Sequence, residues 1–162
     1  MAGDFVLRMR RDLDGALERP RWPDGVVLQT LPVKPEKALL KAAHAVLTPN
    51  YWEGGGGAPI FPRWWKALRH DEEFDPALFF LAMDSEGVAG LAQCWTSAFV
   101  KDLAVAPRLR RKGLGRALMF AAFEAFTQRG AAHVDLKVRE DNVPAIALYK
   151  SLGMRTIERI PA

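Results

Sequence analysis

Between positions 99 and 153 the chain reads FVKDLAVAPRLRRKGLGRALMFAAFEAFTQRGAAHVDLKVREDNVPAIALYKSLG, and the order of residue types in this stretch constrains the fold more than any other part of the sequence. An apolar run over residues 99–105 ends at Pro107, and Arg108, Arg110, Arg111 and Lys112 lead into Gly113-Leu114-Gly115. Leu114, Ala117, Leu118, Ala121, Ala122, Ala125 and Phe126 then recur at helical spacing, which predicts a strand, a glycine-bearing loop and an amphipathic helix starting near Gly113. A helix start presents about four unpaired N–H groups and the positive end of the helix dipole. The glycines let a ligand approach the backbone, and the four basic side chains add charge, so the loop is an anion site suited to a pyrophosphate. A P-loop would need Gly-Lys-Ser/Thr after a spaced glycine, and a dinucleotide fingerprint would need a third glycine where Leu118 stands, so neither applies.

A second pattern follows after a strand-like segment. Residues 141–154, DNVPAIALYKSLGM, open with an N-cap residue and close with Gly153 as a helix stop. Together with Arg110-x-x-Gly113-x-Gly115 and the strand before it, this resembles the GNAT family of N-acetyltransferases, over about a third of the chain. The resemblance implies an α/β fold with a mixed, mostly antiparallel sheet flanked by helices, and acetyl-CoA as co-substrate. It further implies that the backbone of Leu103, Ala104 and Val105 pairs with the pantetheine arm. The loop opened by Arg110, with the amides of Arg111, Lys112, Gly113, Leu114, Gly115 and Arg116, would hold the pyrophosphate, and Asn142 would lie along the cofactor arm. Tyr149 falls where the family places the general acid for the departing thiolate; a phenol with a reference pKa of about 10 stays protonated at neutral pH.

The remaining composition narrows the class. A length of 162 residues fits one domain spanning residues 1–162. A single cysteine excludes an internal disulfide, and three scattered histidines make no metal site, so no metal is expected. No 18-residue apolar span or signal-like start is present, which predicts a cytoplasmic protein with no membrane partner. The formal charge is +4, but the densest basic cluster is the loop that a CoA diphosphate would occupy, so no nucleic-acid partner is expected.

Taken in order, residues 4–12 alternate apolar Phe5, Leu7 and Met9 with Arg8 and Arg10, as a half-exposed strand would. In the acetyltransferase family a strand of this flavour closes the domain at the C-terminus. Residues 1–13 are therefore a candidate permuted closing strand, pairing beside residues 155–160 within the chain or swapped into a partner, which leaves a homodimer open. Residues 14–25 read as a linker docked through Trp22, residues 26–31 as a strand and residues 35–47 as a helix. Residues 50–65, NYWEGGGGAPIFPRWW, read as a flexible glycine loop among aromatic residues that helps form the acceptor site, with Glu53 facing it as a catalytic candidate. A short helix over 64–69, a turn over 71–76 and a hairpin of residues 78–83 and 88–97 follow, with Cys94 as a buried inert thiol.

Acetyl transfer to an amine needs a neutral amine, a polarised carbonyl and a proton for the thiolate. The base is not identified by sequence; Asp102, on the face opposite Leu103 and Phe99, stands beside Glu53, Glu73 and Asp84 as a candidate. In the family branch acting on protein N-termini a glutamate stands five residues before the asparagine, and here Lys137 occupies that place. The expected function is an acetyl-CoA-dependent N-acetyltransferase acting on the primary amine of a small molecule. The alternatives are an enzyme acting on a protein lysine or N-terminus, and a non-catalytic CoA-binding or interaction module.

Overall fold

A computed structural model describes residues 4–50 and 58–162. Its elements are β1 (Phe5–Asp12), β2 (Val27–Thr30), α1 (Glu36–Leu47), α2 (Phe61–Arg69), β3 (Phe74–Asp84), β4 (Gly87–Trp95), β5 (Phe99–Val105), α3 (Leu114–Gln128), β6 (His133–Arg139), α4 (Val143–Ser151) and β7 (Arg155–Pro161). The strands form one sheet in the order β2-β3-β4-β5-β6-β1-β7, in which β5 and β6 run parallel and every other neighbour is antiparallel. This is the mixed, mostly antiparallel sheet flanked by helices that the sequence predicts. Among the described residues, no helix is long and apolar enough to cross a membrane.

Alternation along the strands divides the core between the two faces of the sheet. Leu78, Phe80 and Ala82 of β3, with Leu7 and Met9 of β1 and Val134, Leu136 and Val138 of β6, pack with α3 and α4 on one face. Phe79 and Leu81 of β3, with Leu91 of β4, pack with Leu40, Ala43 and Leu47 of α1 and Trp64 and Leu68 of α2 on the other. α3 is the central helix: Leu118, Met119, Ala122 and Phe123 are fully buried, which explains why its apolar positions exceed a single stripe. The segment between β1 and β2 has no regular structure but lays Leu13, Leu17 and Trp22 against this core, as expected of a docked linker.

Two boundaries differ from expectation. α2 begins at Phe61 rather than Trp64, because Pro62 sits in the first turn, where its missing N–H costs nothing. β3 begins at Phe74, inside the segment read as a turn; Pro76 cannot donate to the ladder, and the pairing with β4 is irregular between Phe74 and Phe79 instead of ending.

The N-terminal strand pairs within the chain. β1 lies between β6 and β7, one strand in from the sheet edge, with Val6 to Asp12 opposite Arg139 to His133 on one side and Phe5 to Arg10 opposite Pro161 to Arg155 on the other. Apolar Met9 is fully buried. On the opposite face Asp135 of β6 is 1% exposed and accepts hydrogen bonds from Arg8 Nε at 2.8 Å, Arg10 Nε at 2.8 Å and Arg10 Nη2 at 3.0 Å. Burial pushes the Asp135 carboxyl up, but the hydrogen bonds and charges of Arg10 and Arg8 outweigh it and hold it below the usual carboxylate range.

Asp135→Asn leaves two guanidinium groups sharing one neutral acceptor, and is expected to lower unfolding free energy by about 2–3 kcal/mol at pH 7, read by urea denaturation. Because the folded carboxyl is the stronger acid, its stabilisation is present above the unfolded pKa of about 3.9 and is lost as pH falls through the folded value. The gap between parent and variant therefore narrows below about pH 4.

Candidate functional site

β5 and β6 stay paired for only two residues, Phe99 opposite Asp135 and Val100 opposite Leu136. Beyond that point β5 follows β4, with Leu103, Ala104 and Val105 opposite Ala92, Leu91 and Gly90, while β6 follows β1 as far as Arg139. The strands part and enclose a cavity of about 900 Å³ walled by both, by the start of α3 and by α4. Alternate N–H and C=O groups of a strand point to opposite neighbours, so part of the Leu103–Val105 backbone faces this gap instead of a partner strand. All three residues expected to meet a pantetheine arm line the cavity.

The loop before α3 behaves as the glycine spacing predicts, for a partly different reason. Gly113 is the N-cap of α3 with φ of 84°, a left-handed conformation that glycine adopts without a Cβ penalty, and a Cβ there would meet nothing within 4 Å. Its requirement is conformational rather than spatial. A Cβ on Gly115 would touch Leu148 Cδ2 at 3.5 Å and Val105 Cγ2 at 3.8 Å, ordinary contacts where α3 approaches α4 and β5. Ala117 N–H donates to Gly113 O at 3.0 Å, so the amides of Leu114, Gly115 and Arg116 lie ahead of the helical ladder.

The four basic side chains do not act together. Arg110 and Gly115 line the cavity, whereas Arg108 turns back to the β3–β4 turn, donating to Asp84 at 2.8 Å and to the Val88 carbonyl at 3.0 Å. Arg108 is thus a structural clamp, and Asp84, one of the base candidates, is removed from the chemistry with it. Leu114 is 1% exposed and belongs to the core, so it offers a ligand only its backbone. Arg116 donates to Glu18 at 3.0 Å and covers the Phe120 ring; it borders a separate cavity of about 460 Å³ with Arg11 and Arg155. Arg111 and Lys112 are exposed on the loop, Arg111 with φ of 60°.

α4 brings Asn142 and Tyr149 to the same cavity. Asn142 is the α4 N-cap, its Oδ1 accepting from Ala145 N at 3.3 Å, so its side chain fixes the helix start while bordering the gap. Tyr149 is 9% exposed, and burial pushes its hydroxyl up to about 12. It is a protonated donor over the whole neutral range.

Among the candidate bases within the described residues, Asp102 lines the cavity and Glu73 and Asp84 do not. Glu73 caps the β4–β5 turn, its Oε1 accepting from Ser97 N at 3.0 Å. Glu53 lies outside the described residues. The register shift between Gln93 and Cys94 sets Gln93 opposite Asp102 but Cys94 opposite Val100, leaving Lys101 as the extra residue of a β-bulge. Trp95 pairs with Phe99, so the bulge returns Asp102 to the same face as Phe99, where strict alternation predicted opposite faces. Trp95 and Phe99 stack with centroids 5.4 Å apart and both line the cavity, a feature the sequence reading missed because an unpaired bulge residue leaves no compositional mark. Cys94 is fully buried; burial, then the nearby charge of Asp102, pushes its thiol up, as befits an inert thiol. Among the described residues no group of three His, Cys, Asp or Glu side chains is placed to hold a metal.

The sheet is parted between parallel strands, with a helix start on one side of the gap and a buried tyrosine on the other. The chain matches the acetyltransferase (GNAT) family over residues 44–154 and belongs to that family. It is 34% identical over 159 residues to a mycothiol acetyltransferase of Thermobispora bispora, covering 90% of this chain and 52% of the relative. A streptothricin acetyltransferase of Streptomyces lavendulae is 40% identical over 80 residues, covering 46% of this chain and 42% of the relative. The chain spans about half the length of the mycothiol acetyltransferases it matches. A GCN5-related N-acetyltransferase structure from Sphaerobacter thermophilus superposes with a TM-score of 0.79 at 22% identity, covering 98% of this chain and 50% of that one. An aminoglycoside N-acetyltransferase in complex with CoA superposes with a TM-score of 0.65 at 16% identity, over 87% of this chain and 94% of that one.

The two glycines are expected to respond in opposite ways. Gly113→Ala forces a side chain into a left-handed conformation and lowers unfolding free energy by about 1 kcal/mol. Gly115→Ala, helical and meeting only ordinary contacts, is neutral or stabilising by up to about 1 kcal/mol. Chemical denaturation of both variants checks the contrast.

Proposed function

We propose that this chain is an acetyl-CoA-dependent N-acetyltransferase acting on the primary amine of a small molecule. The observation that carries the reading is the parted β5–β6 pair, whose unpartnered backbone faces a cavity that also holds a buried, protonated Tyr149. The cavity fits the co-substrate: an open strand edge suits the amides of a pantetheine arm, and the free amides at the start of α3, with Arg110, suit a diphosphate. Acetyl-CoA supplies the thioester acyl group. Relatives named for mycothiol and streptothricin favour a small-molecule acceptor over a protein, as does Lys137 at the position where a catalytic glutamate was sought.

The residues divide the work by charge. An N–H of the Leu103–Val105 edge donates to the acyl oxygen as negative charge gathers there. Asp102, on the wall where α1 ends, accepts the proton that the amine gives up as its nitrogen bonds to the acyl carbon. Tyr149 donates its hydroxyl proton to the sulfur as the carbon–sulfur bond breaks, and regains one from solvent afterwards. Burial that raises the Tyr149 pKa keeps its hydroxyl protonated at neutral pH.

Calorimetric titration with acetyl-CoA tests the site directly. Saturable binding by the parent, lost in Gly113→Asp through bulk and like charge at the loop, supports the reading; no binding by the parent would leave a fold without its chemistry and favour an interaction module. Tyr149→Phe is expected to lower kcat about 100-fold while changing the KM for acetyl-CoA less than threefold. With Tyr149 titrating at about 12, kcat/KM rises with pH as the amine loses its proton and shows no alkaline fall below about pH 10. A fall near pH 8 would remove Tyr149 from the acid role.

A further inference from the structure

The face of the sheet that carries Asp102 is covered by α1 and α2 over β3–β5. Over β6 and β1 the same face carries charged side chains instead: Asp135, Lys137 and Arg139 alternate along β6, with Arg8 and Arg10 beside them on β1. Asp135 is shared by two arginines, Glu158 of β7 stands opposite Arg8 on one side, and Lys137 stands opposite it on the other. Two cations facing each other across a ladder weaken it unless an anion lies between or above them. Lys137 is exposed and lines the cavity, as do Lys101 and Arg139.

The aromatic pair ties this patch to the reacting centre. Arg8 Cζ lies 5.4 Å from the centre of the Phe99 ring, and Lys101 Nζ lies 5.8 Å from that of Trp95. Lys101 Nζ is also 3.5 Å from the Asp102 carboxylate, and Arg139 is paired with Asp141 at 3.1 Å. That leaves Lys137, backed by Arg8, as the positive charge at the cavity wall closest in register to the Phe99–Asp135 pairing.

Resting on the N-acetyltransferase reading, we propose that the acceptor amine carries an anionic group, a carboxylate or a phosphate, seated against Lys137 at the cavity wall with its amine turned toward Asp102. A charge-assisted contact of this kind selects among amines of equal size, because the uncharged analogue forfeits the contact with the exposed Lys137 ammonium. Lys137 is then a specificity-determining residue, and its preference weakens as salt screens the patch.

The test uses matched amines on the CoA-saturated protein: β-alanine against β-alaninamide for the carboxylate, and O-phosphoethanolamine against ethanolamine for the phosphate. Calorimetric affinity is measured first, then acetyl transfer by thiol release. At least one charged member is expected to bind about tenfold more tightly than its neutral partner, and which pair shows the preference identifies the anion. Lys137→Glu, which places opposite charges across the ladder and so preserves the fold, abolishes the preference, and Lys137→Arg keeps it. Equal affinities within both pairs, or a preference that survives Lys137→Glu, overturns the proposal. Binding with the expected preference but no acetyl transfer would overturn the enzymatic reading and leave the anion subsite standing.

Discussion

Everything functional in this domain depends on two parallel strands that cannot stay together. β5 is held along one edge by β4 and β6 by β1, and each of those antiparallel ladders is several residues long, against two paired residues between β5 and β6 themselves. The longer ladders dictate direction, and the short one gives way. Backbone groups left without a strand partner must meet water or a ligand, since burying them unpaired costs as much as a lost hydrogen bond. The opening is thus already supplied with donors and acceptors at a spacing fixed by the sheet, and the start of α3 adds the amides that lie ahead of its helical ladder.

The Arg8–Asp135–Arg10 trio decides whether that geometry holds. It spans β1 and β6 on the face without a covering helix, where no hydrophobic layer would otherwise favour one register over another. A buried carboxylate with two guanidinium partners is satisfied in one alignment and orphaned after a one-residue slip. The same side chain that locks the register, Arg8, lies over the ring of Phe99, and Phe99 lines the cavity, so the alignment of the N-terminal strand and one wall of the cavity share a contact network.

Much of this was written locally in the sequence. The run before Pro107, the Gly113 helix start and the Asn142 cap each use short-range chemistry, and Leu103–Val105, Arg110, Gly115, Asn142 and Tyr149 all lie around one cavity. What the sequence did not disclose arises between strands. The Lys101 bulge changes which face Asp102 presents, yet it exists only in the pairing of β4 with β5. Arg108 resembles its basic neighbours until Asp84, 24 positions earlier, claims it. β3 starts four residues before the run that announced it, because an irregular ladder tolerates Pro76 where a helix or an ideal strand would not.

The position of β1 has a consequence for how the domain is assembled as it is synthesised. Its residues precede the other strands of this domain, yet their neighbours lie about 120 to 156 positions downstream in β6 and β7. Half of the molecule can therefore condense around α3 while the first strand waits, its slot beside β6 unfilled and that edge of the sheet exposed. The first strand of the domain closes the sheet only by entering between two strands that lie far downstream of it.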